Sequence, residues 1–201
     1  MTPQEIDEQI YILATANGFT DVSARLIVAQ ARLESSDTNG IDYNSSVFKN
    51  NANMYGMKFI GQPLAVRGTI APISERDAKC RDTGVCADRN FYAKYQNATD
   101  SAKDVITRLY SKTLNGITPA QLRNAKTPIE FATLLKTRGY FGTTATQYAN
   151  GLKSKLKKIK IQPIENLPAV TITAEKKNNM IIYILSGALI LFIFGKMRKS
   201  K

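Results

Sequence analysis

The sequence has no histidine and only two cysteines among its 201 residues. The absence of histidine excludes Ser-His-Asp and Cys-His sites as well as His-ligated zinc, and two cysteines cannot close a structural zinc site. Neither common glycine-rich phosphate-binding pattern occurs. We therefore expect no metal and no other cofactor. Carboxylates, hydroxyls and Lys or Arg remain for chemistry, and paired carboxylates are the groups that glycosidases use.

The charge balance is strongly basic, because 28 Lys and Arg residues stand against 16 Asp and Glu, a net charge of +12. Such a surface attracts any polyanion, including peptidoglycan, teichoic acids, lipid headgroups and DNA. The cations are scattered and then concentrate at 153–160 and 196–201, without the Arg and aromatic interleaving of RNA-binding modules. We therefore do not expect nucleic acid as a partner.

Apolar periodicity predicts helices over residues 4–17 and 22–34. From residue 39 to about 89 this period fades, and Gly, Pro, Asn and short β-type runs indicate an irregular lobe with a β-hairpin. Helices are expected to return after residue 90, two of them with N-caps at Thr118 and Thr127. The first residues do not contain a positively charged segment followed by an apolar one, so we expect no secretory signal peptide.

Glu34 closes the second apolar helix, and a loop of small and aromatic residues follows at 53–58. A carboxylic acid at a helix end can keep a raised pKa when it faces apolar walls, and a general acid needs this property. The alternative is a solvated glutamate, or one paired with Arg32 or Lys58. The residue type alone does not decide between these interpretations.

Two motifs resemble a known family. Residues 29–35, Ala-Gln-Ala-Arg-Leu-Glu-Ser, resemble the catalytic helix of bacterial and phage N-acetylglucosaminidases, the lysozyme-like peptidoglycan hydrolases of flagellar muramidases and autolysins. Residues 53–58, Asn-Met-Tyr-Gly-Met-Lys, resemble their Asn-Leu-Phe-Gly-Ile-Lys signature. The resemblance covers about residues 5–158 and implies a lysozyme-like α+β fold, mainly helical with a small β-hairpin lobe. It also implies that Glu34 is the general acid for cleavage of the β-1,4 bond after N-acetylglucosamine.

The same resemblance implies a second carboxylate. Residues 72–76, Pro-Ile-Ser-Glu-Arg, are similar to a Thr-x-Glu element on the family's hairpin, which makes Glu75 the expected base or water-positioning group. The alternative is a surface charge paired with Arg76 or Arg67. Three other acids lie in the lobe: Asp77, Asp82 and Asp88.

The resemblance further implies a sugar groove. Its floor is expected to contain Asn53, which would bind an acetamido group, and Tyr55, Gly56 and Lys58. Residues 139–149 resemble the family's Gly-Tyr-Ala-Thr-Asp-Pro-x-Tyr-Ala motif, but Ala-Thr-Asp-Pro is absent and the two tyrosines lie two residues farther apart. We expect the Tyr140 hydroxyl to face the cleft and Tyr148 to belong to the core. Residues 90–95 resemble a block of core aromatics that enters a helix.

Cys80 and Cys86 flank a turn-like loop, residues 81–85. In an oxidising compartment we expect them to form a disulfide at the hairpin tip, whereas in cytosol they would stay reduced.

The C-terminal part predicts a membrane anchor. We divide the chain into an enzyme domain (1–160), a Pro-containing linker (161–178), a transmembrane helix (179–195) and a basic tail (196–201). The uncharged run 180–194 is short against the ~20 residues that span a bilayer, but Lys177 and Lys196 can snorkel to extend it. The alternative is a buried core helix. The cationic tail favours a cytoplasmic position for residues 196–201.

A wall hydrolase without a leader but with a C-terminal anchor suggests a bacteriophage protein, held in a virion membrane or the host inner membrane and acting at infection or host lysis. One rival is a lytic transglycosylase or muramidase on the same fold. The other is a non-enzymatic, membrane-anchored glycan-binding or virion structural protein.

Overall fold

Eight α-helices and one pair of β-strands form residues 1–162, the part of the chain that this computed structural model describes. In chain order they are α1 (Pro3–Ala16), α2 (Asp21–Glu34), α3 (Ser46–Asn51), β1 (Ala65–Ile70), α4 (Ala78–Thr83), β2 (Phe91–Tyr95), α5 (Ala98–Asp104), α6 (Pro119–Arg123), α7 (Pro128–Thr137) and α8 (Ala145–Leu156). A π-helical turn, Val105–Leu109, extends α5. The fold is therefore mainly helical with a small two-stranded sheet, as predicted.

Helix α2 lies at the centre of the helical body. Leu26, Ile27 and Val28 are fully buried, and so are the alanines around them, because α1, α6, α7 and α8 pack on different sides of this helix. Thr20 caps its start by accepting a hydrogen bond from Ser23 N. The helix ends at Glu34, so that a rigid, buried element carries this carboxyl group. The prediction of a helix over 22–34 is confirmed.

A buried charge network ties α2 to its neighbours. Arg32 forms salt bridges of 2.5 Å with both Asp7 of α1 and Asp42. Lys155 of α8 approaches the other oxygen of Asp42 at 2.5 Å. Because buried charges are tolerated only when paired and hydrogen-bonded, this network fixes the mutual placement of the last turn of α2 and of α8.

The short helices begin as the sequence predicts. Thr118 and Thr127 are the N-caps of α6 and α7, each followed by a proline in the first turn. In α6 Gln121 completes a capping box, whereas in α7 the Glu130 side chain accepts from Lys126 N instead. These caps fix the start of α7, at whose end the loop to α8 turns towards Glu34.

The β-lobe (residues 58–95) differs from the predicted hairpin. Strands β1 and β2 pair antiparallel from Ala65 opposite Tyr95 to Ile70 opposite Phe91, and residues 71–90 connect them. Helices do return after residue 90, with α5, but residues 91–95 before it form a strand that was not predicted from the sequence. Helix α4 was not predicted, since six residues are too few to show a helical period.

The compact unit ends at Ile161, one residue beyond the predicted boundary. Ile161 is buried, and its carbonyl accepts a hydrogen bond of 2.9 Å from Arg25. The predicted linker, membrane anchor and basic tail lie outside the described residues, apart from residues 161 and 162. Within residues 1–162, no helix combines the length and the apolar character that crossing a membrane requires.

Candidate active site

A cleft of about 540 Å³ runs between the helical body and the β-lobe. Both predicted carboxylates line it. The whole lining consists of Glu34, Ser45, Val47, Tyr55, Gly56, Met57, Lys58, Glu75, Tyr92, Leu109, Leu114, Arg138, Gly139, Tyr140 and Phe141. Among residues 1–162 no group of three or more Cys, Asp or Glu side chains is arranged to hold a metal ion.

Glu34 is a half-buried acid in the last turn of α2. Burial raises the pKa of its carboxyl group, and a hydrogen bond of 2.5 Å from the Tyr148 hydroxyl to Oε1 offsets only part of this rise. The negative end of the helix dipole acts in the same direction as burial. Glu34 therefore holds its proton to a higher pH than a free glutamic acid, as a general acid must.

The two cations considered as partners of Glu34 bind other carboxylates. Arg32 contacts Asp7 and Asp42, as described above, and Lys58 Nζ lies 2.6 Å from Glu75 Oε2. Within the described part of the chain, no salt bridge involves Glu34. The interpretation of Glu34 as half of a surface ion pair is therefore not supported.

Glu75 lies in a 3-10 turn, Ile73–Glu75, on the opposite wall. Its Oε2 accepts hydrogen bonds from Lys58 Nζ at 2.6 Å and from the Tyr92 hydroxyl at 2.9 Å. Partial burial acts to raise the pKa of Glu75, but these two donors outweigh it and the net shift is downward. Two carboxyl groups whose pKa values move apart in one cleft have the properties of an acid and a base.

The floor of the cleft is formed by the turn at residues 55–58. Tyr55, Gly56 and Lys58 line it, and Gly56 adopts φ +62°, which favours glycine. The expectation that Asn53 binds an acetamido group is not supported by its position in the structure. The Asn53 side chain is buried, and both of its polar atoms form hydrogen bonds with the backbone: Nδ2 donates to Met57 O at 2.8 Å, and Oδ1 accepts from Met57 N at 3.0 Å. Asn53 shapes the turn beneath the floor.

The loop between α7 and α8 closes the cleft near Glu34. Tyr140 lines the cleft, but its hydroxyl donates to Tyr55 O at 3.1 Å, which joins the loop to the floor. Phe141 stacks on Tyr148 with ring centroids 3.9 Å apart and planes 7° from parallel. Tyr148 is buried, as expected of a core residue, yet its hydroxyl reaches the proposed acid. The only sequence signal for this role was its place in the Gln-Tyr-Ala end of the motif.

Arg138 and Tyr92 were not singled out as site residues by sequence. The buried Arg138 guanidinium donates to three carbonyls, at Leu109 (2.6 Å), Lys112 (2.9 Å) and Ile117 (3.1 Å), and so holds the 109–117 segment along the cleft. Tyr92 supports both its hydrogen-bond partner Glu75 and, through a ring contact of 3.9 Å, the Lys58 ammonium. Tyr92 belongs to the block of residues 90–95 that was expected to be core, and Arg138 directly precedes the motif at residues 139–149, but neither motif reveals these contacts.

A disulfide joins Cys80 and Cys86 in the segment that follows Glu75. Cys80 is buried in α4, whereas Cys86 is partly exposed. Asp77 caps this helix. Its carboxylate accepts from Cys80 N, Asn90 Nδ2 and Arg89 Nε, which together lower the pKa of Asp77 to about 2. Asp77 therefore has a structural role and does not line the cleft.

The sequence of residues 12–161 matches the glucosaminidase family, described as mannosyl-glycoprotein endo-beta-N-acetylglucosaminidase. Because this match spans most of the chain, the chain belongs to that family and is a glycoside hydrolase. No curated protein matches it.

Three solved structures are similar to the chain at low sequence identity. A type VI secretion system effector-immunity complex from Pseudomonas protegens has 13% identity and a TM-score of 0.49, covering 77% of this chain and 91% of that one. The catalytic domain of the autolysin Auto from Listeria monocytogenes has 20% identity and a TM-score of 0.47, covering 78% and 81%. A peptidoglycan hydrolase mutant from Sphingomonas sp. A1 has 18% identity and a TM-score of 0.41, covering 76% and 92%.

Proposed function

We propose that this glycosidase cleaves peptidoglycan at the β-1,4 bond that follows N-acetylglucosamine. The observation that carries the proposal is that one cleft is lined by Glu34, whose pKa is raised, and by Glu75, whose pKa is lowered. A glycosidase needs both forms at the same pH. The resemblance of residues 29–35 and 53–58 to wall-degrading glucosaminidases supports peptidoglycan as the substrate, and the net charge of +12 favours contact with an anionic wall.

In the proposed reaction, Glu34 gives its proton to the glycosidic oxygen as the bond from that oxygen to the anomeric carbon breaks. The ring carbon then carries the positive charge of an oxocarbenium-like transition state. Glu75 accepts a proton from the water that attacks this carbon, and the product is a free reducing end. The Tyr148 hydroxyl stabilises the Glu34 carboxylate that the first step leaves behind.

One observation favours a rival on the same fold. The Glu75 carboxylate is already engaged by Lys58 and Tyr92. If these contacts persist when substrate binds, the site has a single working acid, as in a lytic transglycosylase. In that case the substrate's own hydroxyl would attack and a 1,6-anhydro product would form.

Mass spectrometry of the muropeptides released by the full chain tests these alternatives. Reducing-end N-acetylglucosamine is the expected result and supports a glucosaminidase. Reducing-end N-acetylmuramic acid would indicate a muramidase, and a 1,6-anhydro end a transglycosylase. A folded chain that binds peptidoglycan and releases nothing would instead support the non-enzymatic alternative. Glu34→Gln is the matched control, because it removes the transferable proton and keeps the size of the side chain.

We also propose that residues 180–194 anchor the enzyme to a bilayer, either a virion membrane or the host inner membrane, and that the protein serves a bacteriophage at infection or lysis. The support is the uncharged apolar run, its cationic flanks and the preceding Pro-containing segment.

A further inference from the structure

Gln30 is a fully buried polar residue that the proposed reaction does not use. It lies on α2 one helical turn before Glu34. Its Oε1 accepts a hydrogen bond of 2.6 Å from the Tyr110 hydroxyl, which is also fully buried. Its Nε2 has no hydrogen-bond partner among the described residues. An unpaired buried donor is unfavourable and rare, so its presence calls for a physical explanation.

Gln30 and Glu34 lie one turn apart on the same face of α2, and Tyr148 donates to Glu34, so the unpaired amide lies on the side of α2 that Tyr148 contacts. Burial and the charge of Glu34 raise the pKa of Tyr148, whereas the neighbouring Gln30 side chain acts in the opposite direction, as a donor facing the tyrosine oxygen does. Tyr110 fixes the orientation of the amide, because its hydroxyl holds Oε1 and leaves Nε2 as the free end. Nε2 is therefore the end of the amide that is left to act on Tyr148.

We propose that Gln30 is a positioning residue that sets the direction of the Tyr148–Glu34 hydrogen bond. A hydroxyl can rotate and can either donate or accept. Nε2 makes no hydrogen bond of ordinary geometry within the described residues, so its effect on the Tyr148 oxygen is electrostatic: an N–H dipole beside that oxygen favours the orientation in which the hydroxyl hydrogen points to Glu34 Oε1, where it stabilises the carboxylate. This role rests on the proposed function, since it matters only if Glu34 loses a proton during the reaction.

The surroundings of Glu34 allow this effect to be isolated. The ionisable groups that act on it from the packed elements are tyrosines, namely Tyr110, Tyr140 and Tyr148. Arg138 lines the same cleft but is held by three backbone carbonyls. A change in the titration of Glu34 on altering Gln30 would therefore report on the Tyr148 contact.

The test compares Gln30→Met, which keeps the volume but has no amide, with Ser23→Ala in the full chain. Ser23 lies on the same helix, is fully buried and donates to Leu122 O, so its variant controls for the loss of a buried hydrogen bond away from the site. We expect Gln30→Met to lower kcat about fivefold, the usual effect of one hydrogen bond, with little change in KM. The alkaline limb of the pH profile should move to higher pH. Ser23→Ala should leave kcat and the profile unchanged.

A double-mutant cycle with Tyr148→Phe decides whether Gln30 acts through Tyr148. In the Tyr148→Phe background, Gln30→Met should have no further effect on kcat. A wild-type kcat for folded Gln30→Met, or an equal loss in both backgrounds, would overturn the proposal. If Gln30→Met does not fold, Tyr110→Phe replaces it in the same cycle, because it releases the Gln30 oxygen.

An NMR titration of the Glu34 side-chain carboxyl separates this inference from the proposed function. We expect the pKa of Glu34 to be higher in Gln30→Met than in the wild-type chain, and an unchanged pKa contradicts the proposed role of Gln30. A wild-type chain that does not cleave peptidoglycan refutes the proposed function, and the titration still decides the role of Gln30.

Discussion

Tyr148 donates a hydrogen bond of 2.5 Å to Glu34 Oε1, although the two residues are 114 positions apart in the chain. Helix α8 brings the tyrosine to the end of α2, and Phe141 stacks on its ring. Burial favours the neutral carboxyl group, whereas the hydroxyl favours the charged one. Because burial prevails, the pKa of Glu34 is raised, which favours the protonated carboxyl group before the reaction, and the hydroxyl stabilises the carboxylate afterwards.

Replacing Glu34 by Gln should abolish most of the activity. The amide keeps the size of the side chain but cannot transfer a proton, and general acid catalysis contributes about 10²–10⁴-fold to a rate. We expect kcat to fall by this factor while the thermal unfolding midpoint changes little. Near wild-type turnover in a folded Glu34→Gln chain would rule out Glu34 as the acid.

Replacing Tyr148 by Phe should shift the alkaline limb of the pH–rate profile. The hydroxyl lowers the pKa of Glu34, so its loss raises that pKa further. Glu34 works when protonated, and activity is lost as pH rises through its pKa. The limb should therefore move to higher pH, while kcat falls about tenfold because a charge-assisted hydrogen bond to the product carboxylate is missing. Tyr140→Phe, whose hydroxyl binds Tyr55 O instead, is the matched control. An unmoved limb in Tyr148→Phe would show that this contact does not tune Glu34.

The Tyr148–Glu34 contact shows which parts of the site could be predicted from the sequence and which could not. The helix that ends at Glu34 was predictable because its apolar period and its Gln-Ala-Arg-Leu-Glu-Ser motif are local. Tyr148 was predicted to be a core residue because an aromatic residue on the apolar face of an amphipathic helix is usually buried. Its second role depends on the direction of one hydroxyl, which follows from how α8 packs on α2. No periodicity encodes that direction.

The β-lobe shows the same limit at the level of the backbone. Residues 91–95 were expected only to be core aromatics that precede a helix, and they form a strand because β1 provides them with a pairing partner. Asn53 was assigned to the substrate from its motif, whereas the structure uses its amide to close the turn. A motif identifies the residues near a site, but the hydrogen-bond partners decide which of them face the substrate.

Replacing Lys58 by Met should shift the acid limb of the profile. Lys58 helps to lower the pKa of Glu75, so its loss should raise that pKa. Glu75 works as the ionised base, and activity is lost as pH falls through its pKa. The acid limb should therefore move to higher pH. Lys79→Met, an exposed change on α4, should leave it in place.

Glu75→Gln tests the same carboxylate directly and should reduce hydrolysis substantially. If only changes at Asp77, Asp82 or Asp88 reduce it, Glu75 is not the partner of Glu34. Asp77→Asn would then need a separate stability measurement, because Asp77 caps α4.

Removing the disulfide should destabilise the part of the β-lobe that follows Glu75. Cys80 and Cys86 close a short loop, and in the chain-entropy view such a loop stabilises the folded state by about 2 kcal/mol. We expect the Cys80→Ser, Cys86→Ser double variant to lose about that much free energy of unfolding in a denaturant titration. The wild-type chain should approach it when a reductant is added. Equal stability with and without reductant would mean that the bond contributes nothing.

The proposed membrane anchor gives the last prediction, and the structure defines where the chain should be cut. A chain of residues 1–162 keeps Ile161, whose side chain is buried and whose carbonyl binds Arg25, so it retains the contacts that close the enzyme unit. Transfer of an apolar run such as 180–194 from water to lipid contributes about 25 cal/mol per Å² of buried apolar area. The full-length chain should therefore partition with membranes and resist carbonate extraction. The chain of residues 1–162 should be soluble and should still cleave peptidoglycan. A full-length chain that remains a soluble monomer without detergent would refute the anchor, because residues 180–194 would then have to bury their apolar surface against protein.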